Sequence, residues 1–414
     1  MSGVRFEDLE FVNYKNIIDA IGAMESPSRA SVAKALAVSK TTVSYVVSDL
    51  IEKGIVEETE LQDSGRRGRP GLGLRLRDGA WCALGAAFIS SHWSFVVTGL
   101  SGRVIFRHEA PEISVLTPDS LLSSLKHELR EIMSSLPHTM LPAIGLGLPG
   151  IVDIERNRII VANDMKWHDP IDFGSEIEKE FGIRVYSVNR YTAAGIAEFR
   201  YANPERDLDM IYIGLGHGIR SAIFINGRLL SGATYSAGRI AHIVVDQTGP
   251  LCDCGKKGCL LTLASSDVLI RKADELRKLD ENRISRLNDE GVKLDEETIC
   301  TLADEYDTCA MKAIDTIVEP LARGLGEICD IINPRKIIIG GPIGYSSRYL
   351  VTRLRECLRQ KLTASPAGEV LKVEQACLKD YGSALGAASL VLENKADLLY
   401  RAENVHSSIE NEER

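Results

Sequence analysis

Apolar residues recur at helical intervals near the start of the chain, at Leu9, Val12, Ile17, Ile18 and Ile21, and predict a first helix. Two more helical patterns follow at short spacing, SRASVAKALAV and SKTTVSYVVSDLIEKG, with a tight joint at Val38-Ser39. Ser39 can cap the third helix and Gly54 can stop it. Its faces separate, with Val43, Val47, Leu50 and Ile51 on one side and Thr41, Ser44, Tyr45 and Ser48 on the other. After Gly79 the period shortens: WCALGAAFIS, HWSFVVTGL and RVIFRHEA read as a strand meander. AIGLGLPGIVD, RVYSVNR, MIYIGLGHGI, SAIFING and RKIIIGGPI read as strands joined by helices and Gly-rich turns. The polar stretch from about Ser265 to Thr316 reads as helices with charged outer faces. The pattern is that of an α/β body with two sheets behind a helical N-terminal segment.

A chain of 414 residues is long enough for two or three domains. The net charge of −9 excludes a protein coated in nucleic acid or held on a membrane by charge, so any DNA contact must be local. No stretch resembles a signal peptide, and no apolar run approaches the ~20 residues of a membrane span, which predicts a cytoplasmic protein. Cys82, Cys300, Cys309, Cys329, Cys357 and Cys377 are scattered singly, the pattern of reduced, buried thiols rather than a disulfide framework.

One local exception to the acidic balance stands out. From Ser64 to Arg77 the chain reads SGRRGRPGLGLRLR, with five arginines' worth of positive charge at Arg66, Arg67, Arg69, Arg75 and Arg77 and no acid. Glycines around arginines suit a hairpin or wing whose guanidinium groups enter a narrow minor groove; a solvated linker is the alternative. Paired with the third helix, the segment predicts a winged helix-turn-helix over residues 1–80. Ser39, Lys40, Thr41, Thr42, Ser44 and Tyr45 would approach base edges and phosphates, with Arg66, Arg67 and Arg69 in the wing.

The strongest chemical signal is LCDCGKKGC, with His242 upstream. Cys252, Cys254, Cys259 and His242 are the three thiolates and one imidazole that a tetrahedral structural zinc prefers. Gly255 and Gly258 would let the backbone turn sharply enough for the thiols to converge. A filled Cys3His shell leaves no position for water, so the metal would brace the fold. The alternative is a set of buried free cysteines.

Together these segments resemble the ROK family, named for repressors, open reading frames and kinases. GLGLPGIVD resembles its GxGxPGxVD motif, IGLGHGIRSAIFINGRLLSGATYSAGRIAH its second glycine loop running to the zinc histidine, and LCDCGKKGC its zinc box. INPRKIIIGGPI and YGSALGAASL resemble its later strand and closing helix. The resemblance covers nearly the whole chain and implies a two-lobed, actin-like body of the sugar-kinase type. It divides the chain into lobe 1 at 81–195, completed by a helix near 380–395, lobe 2 with the zinc site at 196–379, and a polar tail at 400–414. The front end resembles the transcription-factor branch.

Against the family's kinases the chemistry is incomplete. Where they carry Asn-Asp, this chain reads Asn189-Arg190, and a guanidinium cannot act as a base. Where they carry an Asp-x-Gly-Gly-Thr core, it reads Ala87, Phe88, Ile89, Ser90 and Ser91, losing both glycines and the acid. The chain is therefore expected not to be an enzyme. The resemblance also implies that Asn163, Asn189 and His242 face a sugar, while Arg239 and Leu261 replace two acids. Arginine forks match phosphate or carboxylate. The expected effector is an anionic sugar held by Arg190 and Arg239 with help from Arg220 and His217; arginines satisfied by cleft acids, or a neutral sugar held differently, are the alternatives. The function implied is a DNA-binding regulator of carbohydrate-related genes, most often a repressor in this family, binding its operator as a homodimer or a pair of dimers. A ligand-blind regulator governed by a protein partner and a residual sugar kinase are the competing readings.

Overall fold

The structure is a computed structural model and describes residues 6–60, 72–281, 284–362 and 365–402. These residues fold into two compact units. The first takes the described residues of 1–146, 173–187 and 387–414, and the second those of 147–172 and 188–386.

The first unit opens with α1 (Phe6–Ala23), α2 (Arg29–Leu36) and α3 (Lys40–Glu52), then the antiparallel hairpin of β1 (Val56–Glu60) and β2 (Leu72–Leu76). Ser28 and Ser31 form a reciprocal capping box on α2, and Ala37 ends it in the left-handed region at φ 53°. On α1 the buried stripe is Tyr14, Ile17, Ile18 and Ile21, while Val12 is exposed, contrary to the sequence pattern. Val12 lies two residues before Tyr14, about 200° round the helix, and so falls off the stripe. The helices do not close a core of their own. Leu141, Ala143, Val391, Leu392, Leu398 and Leu399 share one cluster with Ile17, Val32, Val47 and Leu74.

Next come β3 (Trp81–Ile89), β4 (His92–Gly99), β5 (Val104–Glu109), α4 (Pro118–Ser135) and β6 (Thr139–Leu148). The chain enters the second unit as the hairpin of β7 (Ile151–Asp153) and β8 (Arg158–Val161), then returns as α5 (Phe173–Phe181) and β9 (Arg184–Asn189). The first sheet has the order β5-β4-β3-β6-β9, so the meander read from the sequence is its edge. Ala87 and Phe88 are buried in β3, and Ser90 turns the chain at φ 52°.

The second unit carries α6 (Arg190–Tyr201), β10 (Met210–Leu215), β11 (Ile219–Ile225), β12 (Arg228–Leu229), α7 (Leu261–Ala264), α8 (Ser266–Lys278), α9 (Glu296–Asp304) and α10 (Thr308–Ile332). It continues through β13 (Lys336–Gly340), α11 (Gly341–Ser346), α12 (Arg348–Lys361), α13 (Ala367–Val370), β14 (Lys372–Gln375) and α14 (Gly382–Glu393), whose later half belongs to the first unit. The sheet order is β12-β11-β10-β13-β14, with β10 antiparallel to β11 and parallel to β13. Ile211, Ile213, Ile337 and Ile339 from its central strands pack with Ile314, Leu321 and Leu325 of α10.

Two readings need correction. Cys377 is exposed and Cys357 half-buried, so only Cys82, Cys300, Cys309 and Cys329 are the buried single thiols expected. Residues 395–402 are helical, Leu399 is fully buried, and Tyr400 packs edge-on to Tyr14 at 5.3 Å, so residue 400 is not the start of a polar tail.

Candidate functional site

The first candidate surface is α3. Ser39 Oγ accepts from Thr42 N at 3.0 Å and lies 2.7 Å from the Thr42 hydroxyl, so both are occupied in starting the helix. Val43, Val46, Val47 and Leu50 are buried, whereas Lys40, Thr41, Tyr45 and Ser48 are exposed and Ser44 is half-buried. Tyr45 is 68% exposed, unusual for an aromatic ring that could have packed. Arg29 fixes this face from behind. It donates to Ser44 O at 2.9 Å and Ser48 Oγ at 3.1 Å and pairs with Glu58 at 3.1 Å, tying α2, α3 and β1 together. Arg66, Arg67 and Arg69 lie outside the described residues. Arg75 in β2 pairs with Glu57, and Arg77 is exposed. A helix presenting a cation, hydroxyls and a phenol can meet phosphates and base edges.

The second candidate is the Cys/His cluster, which the structure assembles as expected. The ligand atoms of His242, Cys252, Cys254 and Cys259 all lie within 4.8 Å of one another. Cys254 and Cys259 sulfurs are 3.5 Å apart, and Cys252 Sγ is 3.6 Å from His242 Nδ1. A tetrahedral ion with Zn–S bonds of about 2.3 Å would set sulfur atoms about 3.8 Å apart, so the cage fits such an ion. The turn explains why. Gly258 sits at φ +66°, and a Cβ there would strike Asp246 O, while Gly255 is left-handed at φ +86°. Val245 N donates to Gly258 O at 2.9 Å and Gly258 N to Pro250 O at 2.8 Å, which closes the loop on the cysteines. Burial and the neighbouring thiols push the Cys259 thiol up to about 12, because thiolates packed together repel unless a cation joins them. Burial, with Arg239 and Lys256 nearby, pushes His242 down and keeps it neutral, the form that binds metal.

Beside the cluster, within the second unit, lies a cavity of about 710 Å³. It is lined by all seven residues singled out for an effector: Asn163, Asn189, Arg190, His217, Arg220, Arg239 and His242. Leu261 also lines it. Their states differ. Asn189 Oδ1 caps α6 by accepting from Tyr191 N and Thr192 N, and its Nδ2 donates to Gly150 O at 2.7 Å, so its amide is engaged by the scaffold. Asn163 is exposed on a short 3-10 turn. His217 Nδ1 is 3.0 Å from Asp267 in an exposed pair.

The three arginines divide sharply. Arg190 is buried and its Nη2 pairs with Asp164 at 2.7 Å, while Nη1 has no hydrogen-bond partner among the described residues. Arg220 projects from β11 opposite Gly214 and is also buried. Among the described residues it reaches only the carbonyls of Tyr235 and Ala237, each at 3.4 Å, and its Nε has no partner. Burial, then the charge of Arg239, pushes Arg220 down to about 10. Arg239 is exposed and forms no ion pair among the described residues.

Sequence reasoning missed Asp164 and Tyr191. Asp164 adjoins Asn163, but nothing in the spacing of the sequence pairs it with Arg190. Tyr191 fills the space beneath the glycine loop: a Cβ at Gly214 would lie 2.3 Å from its ring, and one at Gly216 2.7 Å from its hydroxyl.

No helix among the described residues is long and apolar enough to cross a membrane. A xylose repressor of Caldicellulosiruptor bescii is 26% identical over 368 residues, 88% of this chain and 91% of its own. The DNA-binding transcriptional repressor Mlc of Escherichia coli is 26% identical over 378 residues, 90% of each chain. A glucokinase of Thermotoga maritima is 28% identical over 254 residues, 61% of this chain and 80% of its own. The crystal structure of a ROK family transcriptional regulator, a homologue of the Escherichia coli Mlc protein, matches 94% of this chain and 98% of its own with a TM-score of 0.77 at 24% identity. That likeness establishes the fold as a helix-turn-helix front end on an actin-like body. Residues 90–394 match the family model of the ROK family, and the chain belongs to that family.

Proposed function

We propose that this chain is a DNA-binding transcriptional regulator, acting as a repressor of carbohydrate-related genes, and that a small ligand in the cavity sets its affinity for DNA. The observation that carries the reading is α3, a helix that buries Val43, Val46, Val47 and Leu50 yet leaves Lys40, Thr41 and Tyr45 in solvent at the front of a ROK body. Likeness over about nine-tenths of the chain to proteins named as repressors supports it. Lys40, Thr41, Ser44 and Tyr45 would face the major groove, Ser39 and Thr42 would hold the helix start against phosphate, and Arg66, Arg67 and Arg69 would reach the minor groove. Operators with twofold symmetry require two such helices, hence a homodimer or a pair of dimers.

The cavity would bind its ligand without converting it. Arg190 stands where a kinase needs a base, and its charge is already given to Asp164. Tyr191 occupies the space under Gly214 and Gly216 that a phosphate cradle leaves open. His242, through Nδ1, and the thiolates of Cys252, Cys254 and Cys259 would hold a structural zinc ion. When bound, zinc supplies charge neutralisation and a cross-link for the loop, with no open position for chemistry. The Arg190–Asp164 pair is the one observation that favours a ligand-blind regulator, since it gives one cavity arginine a counter-charge from within.

Fragments of the encoding genome selected on the full-length protein should converge on one sequence with twofold symmetry. Tyr45→Ala should weaken binding to that sequence by about tenfold or more, the loss of a groove contact of about 1–3 kcal/mol, with an unchanged melting temperature. Selection that never rises above random fragments would overturn the reading.

A further inference from the structure

We infer that Arg220 and Arg239 form the seat for an anionic group, a phosphate or a carboxylate, on the ligand of this cavity, and that Arg190 is not part of that seat. The inference rests on the reading that the cavity holds a small ligand, and it reorders the arginines expected from the sequence.

The case begins with Arg220. It is 9% exposed, on a strand whose neighbours Ile219 and Ser221 are buried, and no carboxylate among the described residues meets it. A guanidinium stays charged in proteins and is held in an interior only when its hydrogen bonds and charge are answered. Two carbonyls at 3.4 Å lie at the far edge of hydrogen bonding, and Nε has no partner among the described residues. Arg239 makes the arrangement worse, since it lines the same cavity with a like charge and forms no ion pair among the described residues. Two like charges, one of them buried, are unfavourable in the empty cavity and become favourable when an anion lies between them.

Arg190 is the internal control. It has the same side chain and the same burial, but Asp164 meets it at 2.7 Å. The remaining charges agree. Among the described residues the wall holds five cations, Lys166, Arg190, Arg220, Arg239 and Arg271, against three aspartates, and of the five Arg271 also meets Glu275 at 3.9 Å. Of those, Asp164 is taken by Arg190 and Asp267 by His217, which leaves Asp253, exposed to solvent. In a chain of net charge −9 this excess of positive charge is local. A volume of about 710 Å³ accommodates more than a free anion. The polar groups of Asn163 and Asp164 suit the hydroxyls of a polyol attached to it.

Melting of the full-length protein tests this in two panels. In the first, inorganic phosphate at tens of millimolar is compared with chloride at equal ionic strength. Phosphate at about ten times its dissociation constant should raise the melting temperature by about 3 °C beyond chloride. Arg220→Met and Arg239→Gln should each remove that increment, whereas Arg190→Met should keep it. General salting effects would persist in every variant, so the difference between variants is the readout. Arg220→Met should also melt no lower than the parent without ligand, which an arginine with a purely structural role would not allow. If Arg220→Met does not fold, Arg239→Gln, an exposed substitution, decides alone.

In the second panel, glucose 6-phosphate, gluconate and glucose separate a phosphoryl source, a carboxylate source and no charge. A wild-type protein that responds to phosphate no more than to chloride, or an Arg239→Gln protein with the full response, overturns the seat. Stabilisation by glucose alone would also overturn it while leaving a ligand-controlled regulator intact. Failure of the genomic selection beside a phosphate response lost in both variants would remove the regulator and leave the seat.

Discussion

Three thiols and an imidazole converge between residues 242 and 259, and Arg220 and Arg239 line one cavity, so the second unit places like groups together twice. The thiol cluster becomes anionic and calls for a cation, while the arginine pair calls for an anion. They differ in how they are built. The first is closed by a tight turn whose backbone bonds run from Val245 N to Gly258 O and from Gly258 N to Pro250 O. The second is assembled from β11 and from the loop before the 3-10 turn at Ile240–His242, held by two long bonds to carbonyls. A cage with matched distances suits the one permanent ion we propose for it. A loose pair facing a roomy cavity is built for one that comes and goes.

The sharpest way to break this contrast is to remove the cation proposed for the thiol cluster. Stripping the protein with a strong chelator, or Cys254→Ser, should lower the melting temperature by about 10 °C or more. Loss of a structural metal falls in the class of changes exceeding about 4 kcal/mol, at about 2–4 °C for each kcal/mol in domains of this size. Cys254 is only half-buried, so the serine itself disturbs little packing. Calorimetry before and after adding back zinc checks it. An unchanged transition would make the cluster four reduced side chains in van der Waals contact and would leave the arginine pair as the only incomplete site of the two.

The same contrast explains what could be read along the chain. The cage was legible because its ligands and turn glycines lie together in Cys252–Cys259, where spacing alone restricts geometry. The three N-terminal helices were legible from their stripes, and the exposed hydroxyl face of α3 from the complement of its stripe; Val46 was missed because it lies on the flank between the two faces. All seven cavity residues were named through motif resemblance, but which arginine is free was not legible. Asp164 meets Arg190 from a separate turn, and no periodicity encodes an ion pair between residues 26 positions apart. The packing of Tyr400 on Tyr14 was hidden for the same reason, since a polar-looking terminus gives no sign of the aromatic partner waiting on α1.

A middle-sized effect sharpens the difference between the two buried arginines. Asp164→Asn keeps an oxygen near Arg190 Nη2 but removes the charge, so Arg190 should come to resemble Arg220. A hydrogen bond to a charged partner contributes about 1.5–3 kcal/mol, which predicts a fall of about 5 °C in melting temperature without ligand. Phosphate should then stabilise this variant more than the parent, because a second guanidinium has opened to the cavity. Differential scanning fluorimetry across a phosphate series would read both. A variant that melts like the parent would mean that Arg190 is held by something other than Asp164, and the control for the anion seat would be lost.

The smallest effect concerns a buried carboxyl group that the chain meets with two donors of its own. Glu198 on α6 is 3% exposed, and its Oε1 accepts from Cys377 N and Leu378 N, each at 2.8 Å, while Oε2 has no hydrogen-bond partner among the described residues. Burial pushes its pKa above the ordinary 4.5, with the two backbone donors pulling the other way. Folding therefore favours the protonated acid. That contribution is complete below the unfolded value and is lost as the pH rises through the raised folded one. Glu198→Gln keeps an acceptor for both donors and does not titrate. The melting temperature of the variant relative to the parent should rise by about 1–3 °C between pH 5 and pH 8. A difference that stays constant across that range would show that two backbone N–H groups are enough to hold a buried carboxylate ionised. In that case two well-aligned dipoles suffice for Glu198 where two carbonyls at 3.4 Å do not suffice for Arg220, and the argument that Arg220 awaits an anion would rest on hydrogen-bond geometry more than on burial.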